Sequence, residues 1–89
     1  MAGYSIRIKS SAAKEVDAIE PKKLRRQVVE RIRQLASDPR PRGCEKLAGA
    51  SGRFRVRQGA YRIVYAVADA ERAVVVFKVG HRSDVYRDR

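Results

Sequence analysis

The chain has 89 residues, 44% of them hydrophobic, enough for one modest core and one domain spanning residues 1–89. Lys and Arg number 21 against 10 Asp and Glu, a net charge of +11. That charge strains a compact chain by self-repulsion and favours an anionic partner: nucleic acid first, an acidic protein second, a membrane surface last. One cysteine and one histidine exclude an intrachain disulfide and a thiolate zinc site and argue against metal catalysis by soft ligands. No cofactor is expected. No apolar run approaches the roughly 20 residues of a membrane span, and no helix combines a basic face with exposed Trp or Phe. A reduced, cytoplasmic protein is expected.

In chain order, Tyr4-Ser5-Ile6-Arg7-Ile8-Lys9 alternates apolar and polar residues, the pattern of a half-buried strand. Ser10 and Ser11 offer N-caps to a short helix whose apolar stripe is Ala12, Val16 and Ile19. Pro21 suits the first turn of a second helix. Its stripe is Leu24, Val28, Ile32 and Leu35, and its other faces hold Lys22, Lys23, Arg25, Arg26, Arg31 and Arg33. Asp38-Pro39 ends it, because the residue before proline resists helical geometry. An irregular connection follows, then three strands. Residues 53–57 alternate arginine with Phe54 and Val56, and Gln58-Gly59-Ala60 is a hairpin loop. Residues 61–68 form the next strand, and Ala68-Asp69-Ala70-Glu71 turns the chain. Residues 73–79 are apolar almost without break, which predicts a central strand covered on both faces and ended by Gly80. The order β-α-α-β-β-β is an α+β fold, a helical hairpin packed on a mainly antiparallel four-stranded sheet.

Arginines two apart on a strand share one face. Arg55 and Arg57 therefore line up, and Arg62 can sit across from them just past the hairpin loop. Such a cluster suits a phosphate clamp, or else an edge strand that uses charge to avoid aggregation. Tyr61 and Tyr65 point to the other face and read as core. His81 is the single histidine, the side-chain type that ordinarily titrates near neutrality; it is either a proton donor or acceptor or an exposed turn residue. Tyr86 follows a glycine and a polar turn with no apolar periodicity, so it either stacks on a base or folds back onto the sheet. Lys22, Lys23, Arg25 and Arg26 are a second cationic group suited to RNA. The scattered glycines are not a phosphate loop, and no serine, histidine and acid set forms a triad.

Arg53-Phe54-Arg55-Val56-Arg57, then Gly59-Ala60-Tyr61-Arg62-Ile63-Val64-Tyr65, then Val79-Gly80-His81-Arg82 and Tyr86 resemble the toxins of the RelE/ParE superfamily. The likeness spans the whole chain, including Lys46-Leu47 before the meander. It implies the toxin of a type II toxin–antitoxin system, restrained by an antitoxin whose acidic C-terminal segment wraps it. The RelE branch cuts messenger RNA in the ribosomal A site by attack of the messenger's own 2′-OH, with no metal. The ParE branch poisons DNA gyrase. By position, Arg62 and Arg82 resemble the family's phosphate-binding arginines, and Tyr86 resembles a C-terminal tyrosine that orients or deprotonates the nucleophile and stacks on a base.

Arg55 and Arg57 stand where some members carry lysines. A guanidinium holds phosphate but is a poor general acid, so the leaving-group proton is left unassigned, with His81 the best candidate. ParE-like chains tend to lack the tyrosine that Tyr86 supplies. The expectation is a ribosome-dependent endoribonuclease. The alternatives are a gyrase inhibitor of the same fold and a non-catalytic RNA-binding module.

Overall fold

The computed structural model describes residues 3–47 and 52–81. Its elements are β1 (Ser5–Ile8), α1 (Ser10–Asp17), α2 (Lys22–Gln34), β2 (Glu45–Lys46), β3 (Arg53–Gln58), β4 (Tyr61–Ala68) and β5 (Ala73–His81). The strands form one sheet in the order β1-β5-β4-β3-β2. β1 runs parallel to β5 and the remaining pairs are antiparallel. The predicted four-strand sheet is therefore five-stranded among the described residues. The added strand has two residues, too few for any alternation to register in sequence.

Both helices lie on one face of the sheet. Ala12, Val16 and Ile19 from the first helical segment and Val28, Ile32 and Leu35 from the second are buried against Phe54, Val56, Ile63, Tyr65, Val67, Val74, Val76 and Val79. Full burial of one such side chain is worth about 1.5–3 kcal/mol, against about 0–1 for an exposed ion pair. The core therefore dominates stability. Tyr65 is completely buried. Its hydroxyl donates to Pro39 O at 2.7 Å, and burial, reinforced by Cys44, pushes the phenol well above its ordinary range. The core reading of Tyr65 holds.

Several local expectations shift. Leu24 is 37% exposed and outside the core. Each i+4 step turns about 40° around a helix, so a stripe built on that spacing winds off the buried side. Lys9 occupies the N-cap of α1 with no side-chain cap bond, leaving Ser10 as the first helical residue. Pro21 caps α2 from outside the helix, which begins at Lys22. Gln58 pairs with Tyr61, so the first hairpin loop is only Gly59 and Ala60. Gly59 has φ 61° there, a conformation glycine adopts without steric cost. Ala68 pairs with Ala73, which moves the next turn to residues 69–72. Gly80 does not end β5, which continues to His81.

One irregularity governs the functional end of the sheet. Tyr65 pairs with Val76 while Val64 pairs with Lys78, so Phe77 is an extra residue in β5. Strict alternation from Val76 would turn Lys78 into the core. The bulge resets the phase: Val79 is buried instead, Gly80 lies opposite Arg62, and His81 lies opposite Tyr61. The apolar run of β5 is thus central, but helices cover only one of its faces. On the other face Phe77 lies beneath the cations of Lys9 and Arg53.

Candidate phosphate site: an arginine hollow on the open sheet face

Phe54 and Val56 face the helices, so Arg53, Arg55 and Arg57 alternate onto the helix-free face of β3. Ile63 and Tyr65 do the same for β4, which puts Arg62 on that same face. Arg57 and Arg62 are direct cross-strand partners. With Gly43, Glu45 and Arg55 they line a hollow of about 100 Å³. Arg62 is only 8% exposed, so its stem is held by packing before any ligand arrives.

Glu45 is the residue that periodicity missed. It belongs to β2 and is the register partner of Arg55. Arg55 Nε donates to Glu45 Oε1 at 3.0 Å, and Nη2 reaches the same oxygen. These bonds hold the Glu45 carboxyl below its ordinary range, helped by the charges of Arg55, Arg62 and Arg57. The hollow therefore contains three guanidiniums around one ionised carboxylate. It can hold a tetrahedral anion by charge-assisted, forked hydrogen bonds. A site this rich in guanidinium is chemically unsuited to a metal cation. No cluster of three or more His, Cys, Asp or Glu forms among the described residues.

His81 lies elsewhere. It lines a second hollow of about 260 Å³ with Glu15, Ala18, Ile19, Tyr61, Lys78, Val79 and Gly80. Its ring meets Tyr61 edge-on, centroids 5.8 Å apart. Register alternation places Tyr61 and His81 on the helix side of the sheet, opposite Arg62. Glu15 closes this edge: it accepts the Val79 N–H at 2.8 Å and pairs with Lys78 Nζ at 3.2 Å. Arg82 and Tyr86 lie outside the described residues.

Lys22, Lys23 and Arg26 are exposed on α2. Arg25 reaches back to donate to the Asp17 carbonyl at 3.3 Å. Arg25 and Arg26, with Val29, Glu30 and Arg33, line a third hollow of about 360 Å³. Because α2 packs on the other side of the sheet, this cationic group and the arginine hollow occupy different faces. No described helix is long and apolar enough to cross a membrane.

This architecture and sequence have known relatives. The family of ParE toxins of type II toxin–antitoxin systems, parDE, matches residues 6–86. Toxin RelG of Mycobacterium tuberculosis is 30% identical over 84 residues, covering 94% of this chain and 97% of that protein. The crystal structure of the RelBE2 toxin–antitoxin complex from Mycobacterium tuberculosis contains a chain with a TM-score of 0.78 and 30% identity, covering 94% of this chain and 97% of that one. The isolated E. coli RelE toxin has a TM-score of 0.77 and 27% identity, with 96% and 93% covered. The chain belongs to the RelE/ParE superfamily of type II toxin–antitoxin toxins.

Proposed function

We propose that the chain is a ribosome-dependent endoribonuclease that cuts messenger RNA in the A site and acts in the cytoplasm. The observation that carries this reading is the hollow in which Arg55, Arg57 and Arg62 surround the Glu45 carboxylate. A scissile phosphodiester there meets preorganised guanidiniums that strengthen their hold as charge builds on the phosphorane. The 2′-OH forms a bond to phosphorus, the P–O5′ bond breaks, and the products carry a 2′,3′-cyclic phosphate and a 5′-OH. The nucleophile must lose a proton and O5′ must gain one.

Glu45 is the ionised acceptor in the hollow. Its depressed pKa makes it a weak base while Arg55 holds it. The negative charge of an entering phosphate beside it raises the carboxyl back toward its ordinary range and improves it as a proton acceptor. Arg82 adds charge stabilisation, and Tyr86 orients the nucleophile and stacks on a base. His81 is assigned the leaving-group proton. Because its ring lies on the helix side of the sheet, opposite the hollow, this role requires the end of β5 to turn over and bring the ring to the open face. Lys22, Lys23, Arg25 and Arg26 bind ribosomal RNA from the opposite face, in keeping with the +11 charge. The solved relatives include RelB–RelE antitoxin–toxin complexes. We infer a cognate antitoxin whose acidic segment wraps this chain.

A second reading rests on the match to the ParE family: a gyrase inhibitor of the same fold. Inducing the chain in cells and mapping both messenger ends and gyrase-linked DNA breaks separates the two. Messenger cuts confined to translated regions are expected. Gyrase-linked breaks without cuts would establish the second reading. Neither, together with retained RNA binding, would leave a non-catalytic binding module.

A further inference from the structure

The open face continues past the hollow. Arg53, Arg55 and Arg57 repeat every second residue along β3, so successive guanidinium stems rise about 7 Å apart. Arg55 and Arg57 line the hollow. Arg53 leaves the row and crosses β4 to Phe77, its guanidinium carbon 4.3 Å from the ring centroid. From the β1 edge of the sheet Lys9 Nζ comes to 5.1 Å of the same ring. Both lie within cation–π range.

Phe77 follows the buried Val76, so alternation turns it to the open face, and the bulge then puts Lys78 on that face beside it. An ordinary core phenylalanine would face the helices. This one is half-buried on the side they do not cover, above Ala66 and Val75, which are themselves half-buried. Covering that small apolar patch would need a side chain but not two cations. An aromatic ring bordered by cations, at the end of an arginine row, combines the two ingredients of single-strand recognition: a stacking surface for a base and charge for its phosphates.

We propose that Phe77, with Arg53 and Lys9, is a stacking subsite for one unpaired nucleobase of RNA, next along the strand from the phosphate held at Arg62. This rests on the RNA reading above and adds a second contact point to it. In the free chain Arg53 lies over the ring. On binding, the base stacks on the Phe77–Arg53 pair while the Arg53 and Lys9 charges meet the flanking phosphates. The subsite tolerates any base, because every base offers a π face, and it favours purines, whose larger rings stack more area.

The test uses the full-length chain and a fluorescent four-nucleotide RNA carrying 2′-O-methyl groups, which cannot be cut. A parallel set of oligomers has one abasic position, moved along the strand. One abasic position should weaken binding by about 10-fold, the scale of a single base–aromatic stack. Phe77→Leu should weaken the intact oligomer equally and abolish that abasic penalty. Phe77→Tyr should preserve both. Competition by inorganic phosphate, which senses the cations but not the stacked base, should be the same in all three proteins. If Phe77→Leu fails to fold by circular dichroism, the abasic series with Phe77→Tyr and Arg53→Gln still decides. Equal affinity for all abasic oligomers, or a full abasic penalty retained in Phe77→Leu, overturns the subsite. Messenger cleavage assayed on ribosomes separates the readings: an intact subsite without cleavage sinks the ribonuclease, and cleavage without a subsite sinks only this inference.

Discussion

Arg57 and Arg62 face each other directly across the β3–β4 ladder, beside a Glu45 carboxylate held below its ordinary range first by Arg55 and then by the charges of Arg62 and Arg57. Like charges opposite one another weaken a sheet. Here the anion that offsets them comes from a two-residue edge strand that contributes little else. The free hollow thus already holds one negative charge, and its three guanidiniums are arranged before any ligand arrives. Catalysis by charge stabilisation depends on that preorganisation.

Arg62→Ala should slow single-turnover messenger cleavage by about 10²-fold, equivalent to about 3 kcal/mol of lost transition-state stabilisation. Arg62→Lys should recover only part, since an ammonium lacks the planar fork. Arg62 is packed and 8% exposed, so a thermal melt must accompany the kinetics. Full-rate cleavage by a folded Arg62→Ala protein would remove this residue from the reaction. Tyr86→Phe, assayed beside it, should keep stacking and lose the contribution of the hydroxyl.

Glu45→Gln should act in opposite directions on binding and chemistry. Removing the resident negative charge should tighten the complex with uncleavable RNA severalfold. Removing the proton acceptor should slow cleavage by about 10²-fold. Binding isotherms and single-turnover rates on the same preparation check both. Tighter binding with an undiminished rate would make Glu45 only an occupant of the hollow.

His81→Ala should lower cleavage by about 10²-fold and remove one limb of the pH–rate profile, as loss of a general acid does. His81 stands against Tyr61, away from the arginines, so the variant also tests whether the ring changes place. An unaltered rate and profile would assign His81 to packing alone.

Replacing Lys22, Lys23, Arg25 and Arg26 together with Gln should weaken ribosome binding and flatten its dependence on salt. These residues sit across the sheet from the hollow, so cleavage at saturating ribosome should change little. A collapse of the single-turnover rate under those conditions would contradict the division between the two faces.

Asp69 in the β4–β5 turn joins two distant segments. It accepts Arg40 Nη2 and the Tyr4 hydroxyl, each at 2.7 Å. Arg40 first, and then Tyr4, hold its carboxyl below the ordinary range. A depressed folded-state pKa contributes stability that is present above the unfolded value of about 3.9 and is lost as pH falls through the lower folded value. Asp69→Asn should therefore melt below the parent at neutral pH, and the gap should close on acidification. Melting curves from neutral to strongly acid pH measure it; a gap that widens in acid would reverse the assigned sign.

Sequence periodicity alone identified the two helices, the three-strand meander and the shared face of Arg55 and Arg57. Each of those features repeats within a few residues, so local spacing encodes it. The stripe of Val28, Ile32 and Leu35 and the inward turn of Tyr65 were legible for the same reason, and the motif resemblance reached the superfamily. Tertiary pairing decided the rest. Glu45 enters the hollow because β2 docks on β3, a contact that two residues cannot announce. The bulge at Phe77 reverses which side of β5 each later residue faces, which turns Val79 inward and His81 toward Tyr61. Nothing in the run from Ala73 to Val79 marks where that reversal falls, because valine suits either face. The register that fits the core best across β4 selects it, and only the folded sheet contains that comparison.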